Sequence, residues 1–451
     1  METTICAIST AVGNGAISII RCSGSESIPI VKSIFRGKDL TKVASHTVSY
    51  GYIVDKEEII DEVLVSVMLA PKTFTTEDII EINSHGGIAT TNKILELLLA
   101  NGCKLAEPGE FTKRAFLNGR IDLLEAEAVG DLILSESEKA RKLAINQISG
   151  GLSNKINEIR KTIISIQASI EVNIDYPEYD DVEEQTKITI TPKLNRIKED
   201  LEKLLKEAST GKLVKNGIDV AIIGQPNVGK SSILNALLSE NKAIVTDIPG
   251  TTRDIIEGKI ILEGITLNIL DTAGIRKTTD EVEQIGVKKS IELTDNADLI
   301  IYVIDSNTKK IENDFEFLTT QKNKNIIIFV NKDDLENQID FKVLENFDLT
   351  KGNTIHSNGL DNLKNKIIEL FNLEKLDNKD YSYLSNARQI SLVRLALESV
   401  KTALDNTSQE IPIDIITIDL KNCFDYLGEI IGETYKEDLL DELFSKFCLG
   451  K

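Results

Sequence analysis

The sequence predicts a multidomain chain of mixed α/β and all-α parts: an α+β N-terminal domain, a discontinuous helical domain, and an α/β domain inserted within it. Three observations carry this expectation. The 451 residues are enough for about three domains. Strand and helix signals alternate over the first 120 residues. Helical periodicity then flanks a central stretch in which short apolar runs alternate with helical patterns. The boundaries read as 1–120, 121–215, 216–376 and 377–451, the second and fourth being two parts of one helical domain.

Residues 3–10 and 16–22 read as strands around the turn Gly13-Asn14-Gly15, and 63–69 reads as another strand. Residues 93–100 have helical apolar spacing, stopped by Asn101-Gly102. From 123 to about 174 the pattern is helical, with a break at Gly150-Gly151, and the acidic turn 175–181 ends it. Such a run of carboxylates reads as a solvated loop. Another amphipathic helix covers about 192–208. Residues 218–223 form a short apolar run suited to a buried parallel strand, and 266–270 and 326–330 read as further strands. Helical periodicity returns over 386–447.

Composition narrows the class. With 41% apolar residues and no low-complexity tract, each domain can bury its own core. The N-terminal residues carry no basic region, and no apolar run is long enough to cross a bilayer, so neither a signal peptide nor a membrane span is expected. Five cysteines with no CxxC pair, and three scattered histidines, argue for reduced thiols in a cytoplasmic protein and against a zinc site. Cys448 reads as a buried small apolar residue rather than a nucleophile. The net charge of −20 repels a polyanion on average, so any nucleic acid must be met through a local patch or a partner.

The run 218–223 feeds Gly224-Gln225-Pro226-Asn227-Val228-Gly229-Lys230-Ser231, which fits GxxxxGK[ST], and after Ser232 the apolar helix 233–238 follows. In that pattern backbone N–H groups face phosphates at a helix N-terminus, Lys230 reaches the β- and γ-phosphates, and the Ser231 hydroxyl sits on Mg²⁺. The strand 266–270 ends in Asp271-Thr272-Ala273-Gly274, whose aspartate can bind Mg²⁺ through water and whose glycine N–H can meet the γ-phosphate. The strand 326–330 ends in Asn331-Lys332-Asp333-Asp334, an NKxD sequence. Asp334 can accept both N1–H and the 2-amino group of guanine, while Asn331 and Lys332 brace the pocket. Adenine lacks that donor pair and would leave the carboxylate unpaired, which disfavours an ATP-dependent protein. The combination predicts a GTPase. Residues 354–359, including His356, stand where a backbone contact to the guanine oxo group is expected.

Many switch GTPases hold the attacking water with a glutamine directly after the DTAG-type residues; here that position is Ile275. No arginine finger is evident from spacing either. Charge building between the β- and γ-phosphates must be met otherwise. Asn227, with carbonyls of the loop Thr246-Asp247-Ile248-Pro249-Gly250-Thr251-Thr252, can coordinate a monovalent cation there.

That loop in its longer form Ile244–Asp254, the segment Asp280-Glu281-Val282-Glu283-Gln284-Ile285-Gly286, and the terminal Phe447-Cys448-Leu449-Gly450-Lys451 carry a family resemblance. So do Phe74-Thr75-Thr76-Glu77-Asp78, Ser84-His85-Gly86-Gly87 and Pro108-Gly109-Glu110-Phe111-Thr112-Lys113-Arg114-Ala115-Phe116-Leu117-Asn118. Over essentially the whole chain the sequence resembles the MnmE (TrmE) family of tRNA-modification GTPases, within the TrmE-Era-EngA-YihA-Septin-like superfamily. The resemblance implies K⁺ ligands at Asn227, Thr246, Ile248 and Thr251, Mg²⁺ ligands at Ser231 and Thr252, and a catalytic glutamate at Glu283 that acts on the attacking water through a second water. It implies a folate-binding-like N-terminal domain, with 5-formyl- or 5,10-methylene-tetrahydrofolate held by Arg21, Glu81, Arg120 and Lys451. Arg120 stands where the family often has lysine, and the loop 11–15 departs from the family's usual Pro-Pro-Gly-Arg-Gly type. A homodimer is implied, joined to the FAD-dependent MnmG in a heterotetramer or larger complex, with tRNA held mainly by that partner and no membrane involved. The activity implied is addition of a carboxymethylaminomethyl or aminomethyl group to C5 of the wobble uridine (U34) of certain tRNAs. The alternative from another class is a regulatory GTP-binding switch of the ribosome-assembly type; it shares the nucleotide motifs but not the N-terminal motifs or the FCLGK end.

Overall fold

Alternating apolar residues in the first third of the chain build strands with one buried and one open face. The computed structural model describes residues 3–175, 182–240, 256–270, 294–308, 318–319, 324–335, 338–339, 341–356, 358–376, 381–409, 411–435 and 437–451. The chain divides into two units: Met1–Leu134, Ala144–Leu205 and Ala387–Lys451 form one, and Ser135–Leu143 with Lys206–Asn386 the other. The first unit is entered three times by the chain, so it closes only when sequence-distant segments meet.

In that unit, β1 (Ile5–Ile8), β2 (Ile17–Ser23), β3 (Phe35–Gly37), β4 (Thr47–Asp55), β5 (Glu58–Met68), β6 (Ile79–His85) and β7 (Lys104–Leu105) form one sheet in the order β3-β4-β5-β6-β2-β1-β7. All neighbours are antiparallel except β1 and β7. Helices α1 (Ser27–Ile34) and α2 (Ile88–Ala100) cover one face, where Val31, Ile94 and Leu98 pack on Ile20, Val65 and Ile82. On the other face α3 (Glu110–Leu117) covers the β1 end through Phe111, which packs with Ile5 and Ala7. Val48, Tyr50 and Leu64 stay exposed on that face farther along.

The helical part follows as α4 (Leu123–Leu134), α5 (Glu138–Ile148), α6 (Gly151–Asp175) and α7 (Val182–Asn216). The pattern expected to break only at Gly150-Gly151 breaks a second time, because Ser137 caps α5 by accepting the Ala140 N–H on Oγ at 3.2 Å. Pro192, expected at a helix start, lies inside α7. Buried Ile190, Leu194, Ile197 and Leu201 around it offset the hydrogen bond a mid-helix proline removes. Of the acidic turn 175–181, residues 176–181 lie outside the described residues.

The second unit carries β8 (Ile218–Gly224), α8 (Lys230–Glu240), β9 (Ile256–Leu262), β10 (Ile265–Leu270), β11 (Leu299–Asp305), β12 (Asn325–Asn331), β13 (Asp348–Lys351) and α9 (Asp361–Phe371). Its sheet has the order β13-β12-β11-β8-β10-β9, parallel throughout except the β9–β10 hairpin. Both faces are buried: Val220 and Ile222 of β8 lie in one apolar cluster, Ala221 and Ile223 in another. That burial explains why these strands are continuous apolar runs rather than alternating ones. Strand order reverses at β8, and such a switch point opens a crevice at the carboxyl ends of the strands.

The chain returns to the first unit as α10 (Ala387–Ser408), α11 (Ile413–Ile431) and α12 (Glu437–Ser445). Buried Glu127 on α4 ties this return to the earlier helices. It accepts from Arg388 Nε at 3.1 Å and Gln389 Nε2 at 2.7 Å, while Arg388 also donates to the carbonyls of Glu429 and Ile430. The helical part is thus one core made from two stretches of sequence. Among the described residues no helix is long and apolar enough to cross a membrane.

Candidate nucleotide site and N-terminal charged site

The carboxyl end of β8 delivers the glycine-rich loop into the crevice, and α8 begins at Lys230. Asn227 holds φ 65° and Gly229 φ 102°, so successive peptide N–H groups turn inward rather than continuing a strand. A side chain at Gly229 has no room, since a Cβ there would lie 2.2 Å from Asn331 Nδ2. Lys230 Nζ donates to the carbonyls of Gly224 at 2.8 Å and Gln225 at 2.6 Å, and burial pulls its pKa down from the ordinary lysine value. Ser231 and Ser232 are exposed on the first turn of α8.

The NKxD segment comes to this loop from the end of β12. Asn331 is 1% exposed; its Nδ2 donates to Val228 O at 2.9 Å, and its Oδ1 has no hydrogen-bond partner among the described residues. Lys332 Nζ donates to Asp305 Oδ2 at 2.6 Å and reaches Asn227 O at 3.4 Å. Burial opposes ionisation of Asp305, but the Lys332 ammonium and the Asn307 N–H outweigh it and hold the carboxyl below the usual range. Asp334 is exposed on a turn closed by Leu335 N–H to Lys332 O. Phosphate and base motifs some hundred residues apart are therefore joined by hydrogen bonds.

The segment after β13 is organised by Asn353, which the motif reading does not single out. Its Nδ2 donates to Asp333 Oδ1 at 2.7 Å, and its Oδ1 accepts the N–H groups of Ile355 and His356 at 3.2 and 3.0 Å. That leaves His356 exposed and the loop folded against the NKxD turn. Asp305, Ser306 and Asn353 carry no motif, and the only sequence signal for them is position at or just beyond a strand end. The predicted residues Thr246, Asp247, Ile248, Pro249, Gly250, Thr251, Thr252, Asp271, Thr272, Ala273, Gly274 and Glu283 lie outside the described residues.

In the N-terminal sheet, the β2–β6 register sets Arg21 opposite Glu81. Arg21 Nε donates to Glu81 Oε1 at 2.9 Å, and its guanidinium lies 5.6 Å from the centroid of the Phe111 ring. The N–H of Phe111 donates to Lys451 O at 3.2 Å, and Ser9 Oγ donates to Gly450 O at 3.1 Å, so the tail lies beside the same aromatic ring. Arg120 sits over Phe74 at 5.0 Å and donates to its carbonyl at 3.0 Å. Phe74 packs in one cluster with Phe111, so Arg21 with its partner Glu81, Arg120 and the main chain of Lys451 border one small apolar core. A cavity of about 480 Å³ opens beside Arg120, lined also by His46, Met68, Lys72 and Phe74.

Cys448 is exposed, contrary to the expectation of burial. The Phe447 ring lies against Gly130 and its Cβ against Gly109, so this side chain packs inward while its neighbour faces solvent. The other four cysteines are buried and free, and among the described residues no cluster of histidine, cysteine or carboxylate can hold a metal ion.

Residues 4–120 match the family model for the GTP-binding protein TrmE N-terminus, and residues 123–448 match the MnmE helical domain. The tRNA modification GTPase MnmE of Lactococcus lactis subsp. cremoris is 50% identical over 448 residues, covering 99% of this chain and 98% of the relative. The chain belongs to the MnmE family. The MnmE of Bacillus mycoides is 49% identical over 456 residues, with 99% of each chain covered. A solved structure of the T. maritima FeoB iron transporter G domain is 29% identical, covers 34% of this chain and 97% of its own, and has a TM-score of 0.26. Family membership rests on the full-length MnmE relatives and the two domain models, whose matches include both the N-terminal sheet and the returning helices.

Proposed function

We propose that this chain is a GTP-hydrolysing enzyme of tRNA modification, the activity named for its MnmE relatives. The observation that carries the reading is the hydrogen-bonded join between the phosphate loop and the guanine-type motif, Asn331 Nδ2 to Val228 O at 2.9 Å. In this reading Lys230 neutralises the β- and γ-phosphates, and Asp334 reads the base with Asn331 and Lys332 as braces. The backbone from Asn227 through Val228 and Gly229 to Ser232 wraps the phosphates. Ser231 and Thr252 hold Mg²⁺, and Asn227, Thr246, Ile248 and Thr251 hold K⁺; bound cations there supply positive charge where negative charge builds in the transition state. The loop from Asp247 through Pro249 and Gly250, with Asp271, Thr272, Ala273 and Gly274, completes the γ-phosphate side, and Glu283 orients the attacking water. The same reading divides the chain at 1–120, 121–215, 216–376 and 377–451.

For the N-terminal site, Arg21, Glu81, Arg120 and Lys451 are read as ligands of a 5-formyl- or 5,10-methylene-tetrahydrofolate. An arginine fork and a carboxylate suit the acidic tail and the amino edge of such a molecule. The neighbouring cavity of about 480 Å³ has the size of small-molecule sites. A homodimer is supported by the open sheet face with Val48, Tyr50 and Leu64 exposed. The net charge of −20 supports delivery of tRNA mainly by the FAD-dependent partner MnmG, for transfer of the aminomethyl-type group to C5 of U34.

The test is GTP turnover in K⁺ against Na⁺, for the wild type and Glu283→Ala, with nucleotide binding measured alongside. Faster turnover in K⁺, and a variant that binds GTP with almost no hydrolysis, are expected. Equal rates in the two salts refute the cation role, and a fully active variant refutes the role of Glu283. Mass analysis of wobble nucleosides after gene deletion tests the tRNA arm; an unaltered profile counts against it.

A further inference from the structure

Strand β11 ends in Asp305, followed by Ser306, and neither residue belongs to a nucleotide motif read from the sequence. Ser306 is 1% exposed and grips the NKxD segment at two successive peptides. Its N–H donates to Asn331 O at 3.0 Å, and its Oγ donates to Lys332 O at 2.6 Å. Asp305 lies in register with Asn331, and its Oδ2 accepts from Lys332 Nζ at 2.6 Å. That same Nζ reaches across to Asn227 O at 3.4 Å. Lys332 and Asn227 hold φ of 61° and 65°, the left-handed region that residues with a Cβ occupy only when neighbours hold them there.

These contacts act on different parts of one lysine. Ser306 holds its carbonyl, which sets the direction in which the chain leaves toward Asp334. Asp305 holds its ammonium, which fixes the carbonyl side of the phosphate loop at Asn227. We propose that Asp305 and Ser306 are positioning residues for guanine recognition, which aim the base-reading turn and tie it to the phosphate loop through Lys332. The inference rests on the reading of this site as a GTP site.

The experiment is equilibrium binding of GTP and of inosine triphosphate to the full chain, for the wild type, Ser306→Ala, Asp305→Ala and Asp305→Asn. Inosine lacks the 2-amino group, so the ratio of the two affinities reports how well the Asp334 carboxylate is aimed. Ser306→Ala and Asp305→Ala should each weaken GTP binding by roughly tenfold to a hundredfold, the range for losing a buried or charge-assisted hydrogen bond. Inosine triphosphate should lose less, so the preference for GTP shrinks, and Asp305→Asn, which keeps an acceptor, should recover part of it. If the variants keep the wild-type ratio, whether or not their melting temperatures fall, the two residues are merely structural and the inference is overturned. A wild type that fails to bind GTP overturns the GTP reading and this inference with it; a wild type that prefers GTP beside unchanged variant ratios overturns the inference alone.

Discussion

Replacing Arg114 by methionine removes a buried cation while keeping most of the side-chain volume. Arg114 is 1% exposed; its Nη1 donates to Thr3 O at 2.8 Å and to both carboxylate oxygens of Glu77 at 3.1 Å, and its Nη2 donates to Glu110 Oε1 at 2.8 Å. Ser23 Oγ also donates to Glu77 at 2.7 Å, so this carboxylate is the hub joining β2, the 73–78 loop and α3. Removing one partner of a buried ion pair costs about 3–5 kcal/mol, because the other is left uncompensated. Glu77 and Glu110 retain 13% and 19% side-chain exposure, so water relieves part of that cost, and about 3 kcal/mol is expected. The assay is urea unfolding of the full chain with hydrogen exchange at the β1 and β2 amides, where the loss should concentrate. The double variant Arg114→Met with Glu77→Gln should lose less than the sum of the two single changes, since Glu77 no longer carries an uncompensated charge and only Glu110 is left without its partner. A loss under about 1 kcal/mol, the size of a surface pair, would refute the reasoning.

Two further predictions concern the edges of the N-terminal site. His85 Nδ1 lies 2.7 Å from Asp61 Oδ1, and hydrogen bonding to that carboxylate, with its charge, raises the imidazole pKa above 6.5. A raised folded-state pKa means that its stabilising contribution is full below the unfolded value and is lost as pH rises through the folded one. NMR titration should show that raised pKa, and Asp61→Asn should return it toward the ordinary value; an identical titration in both proteins would show that the pair does not cause the shift. Gly450 holds φ 85°, and a Cβ there would lie 2.4 Å from Ile8 O. Gly450→Ala should therefore cost roughly 1–3 kcal/mol of tail docking and speed tryptic cleavage after Lys446; unchanged protection would mean that the tail is held elsewhere.

The elements legible in the sequence are those whose physics is local. The strand, glycine-rich turn and helix from Ile218 to Glu240 follow from an apolar run, residues able to take positive φ, and a helical pattern, all within one contiguous stretch. Asn331-Lys332-Asp333-Asp334 at the end of an apolar strand is local in the same sense. Elsewhere local pattern stops short: the proline inside α7 is accommodated where buried Ile190, Leu194, Ile197 and Leu201 pack around it.

Local sequence determined the chemistry of this protein's candidate sites: a phosphate loop, a guanine-type motif and the residue types of a charged N-terminal site. Tertiary structure alone decided which of these groups meet. Arg21 faces Glu81 because β2 pairs with β6 in one register, and a slip of one residue would put the two on opposite faces of the sheet. Ser306 and Asp305 become supports of the base motif only when β11 lies beside β12, and Cys448 is exposed while the neighbouring Phe447 packs against Gly130. The physical reason is range: backbone conformation is set by neighbours in the chain, whereas strand register and buried ion pairs are set by segments that chain order does not bring together.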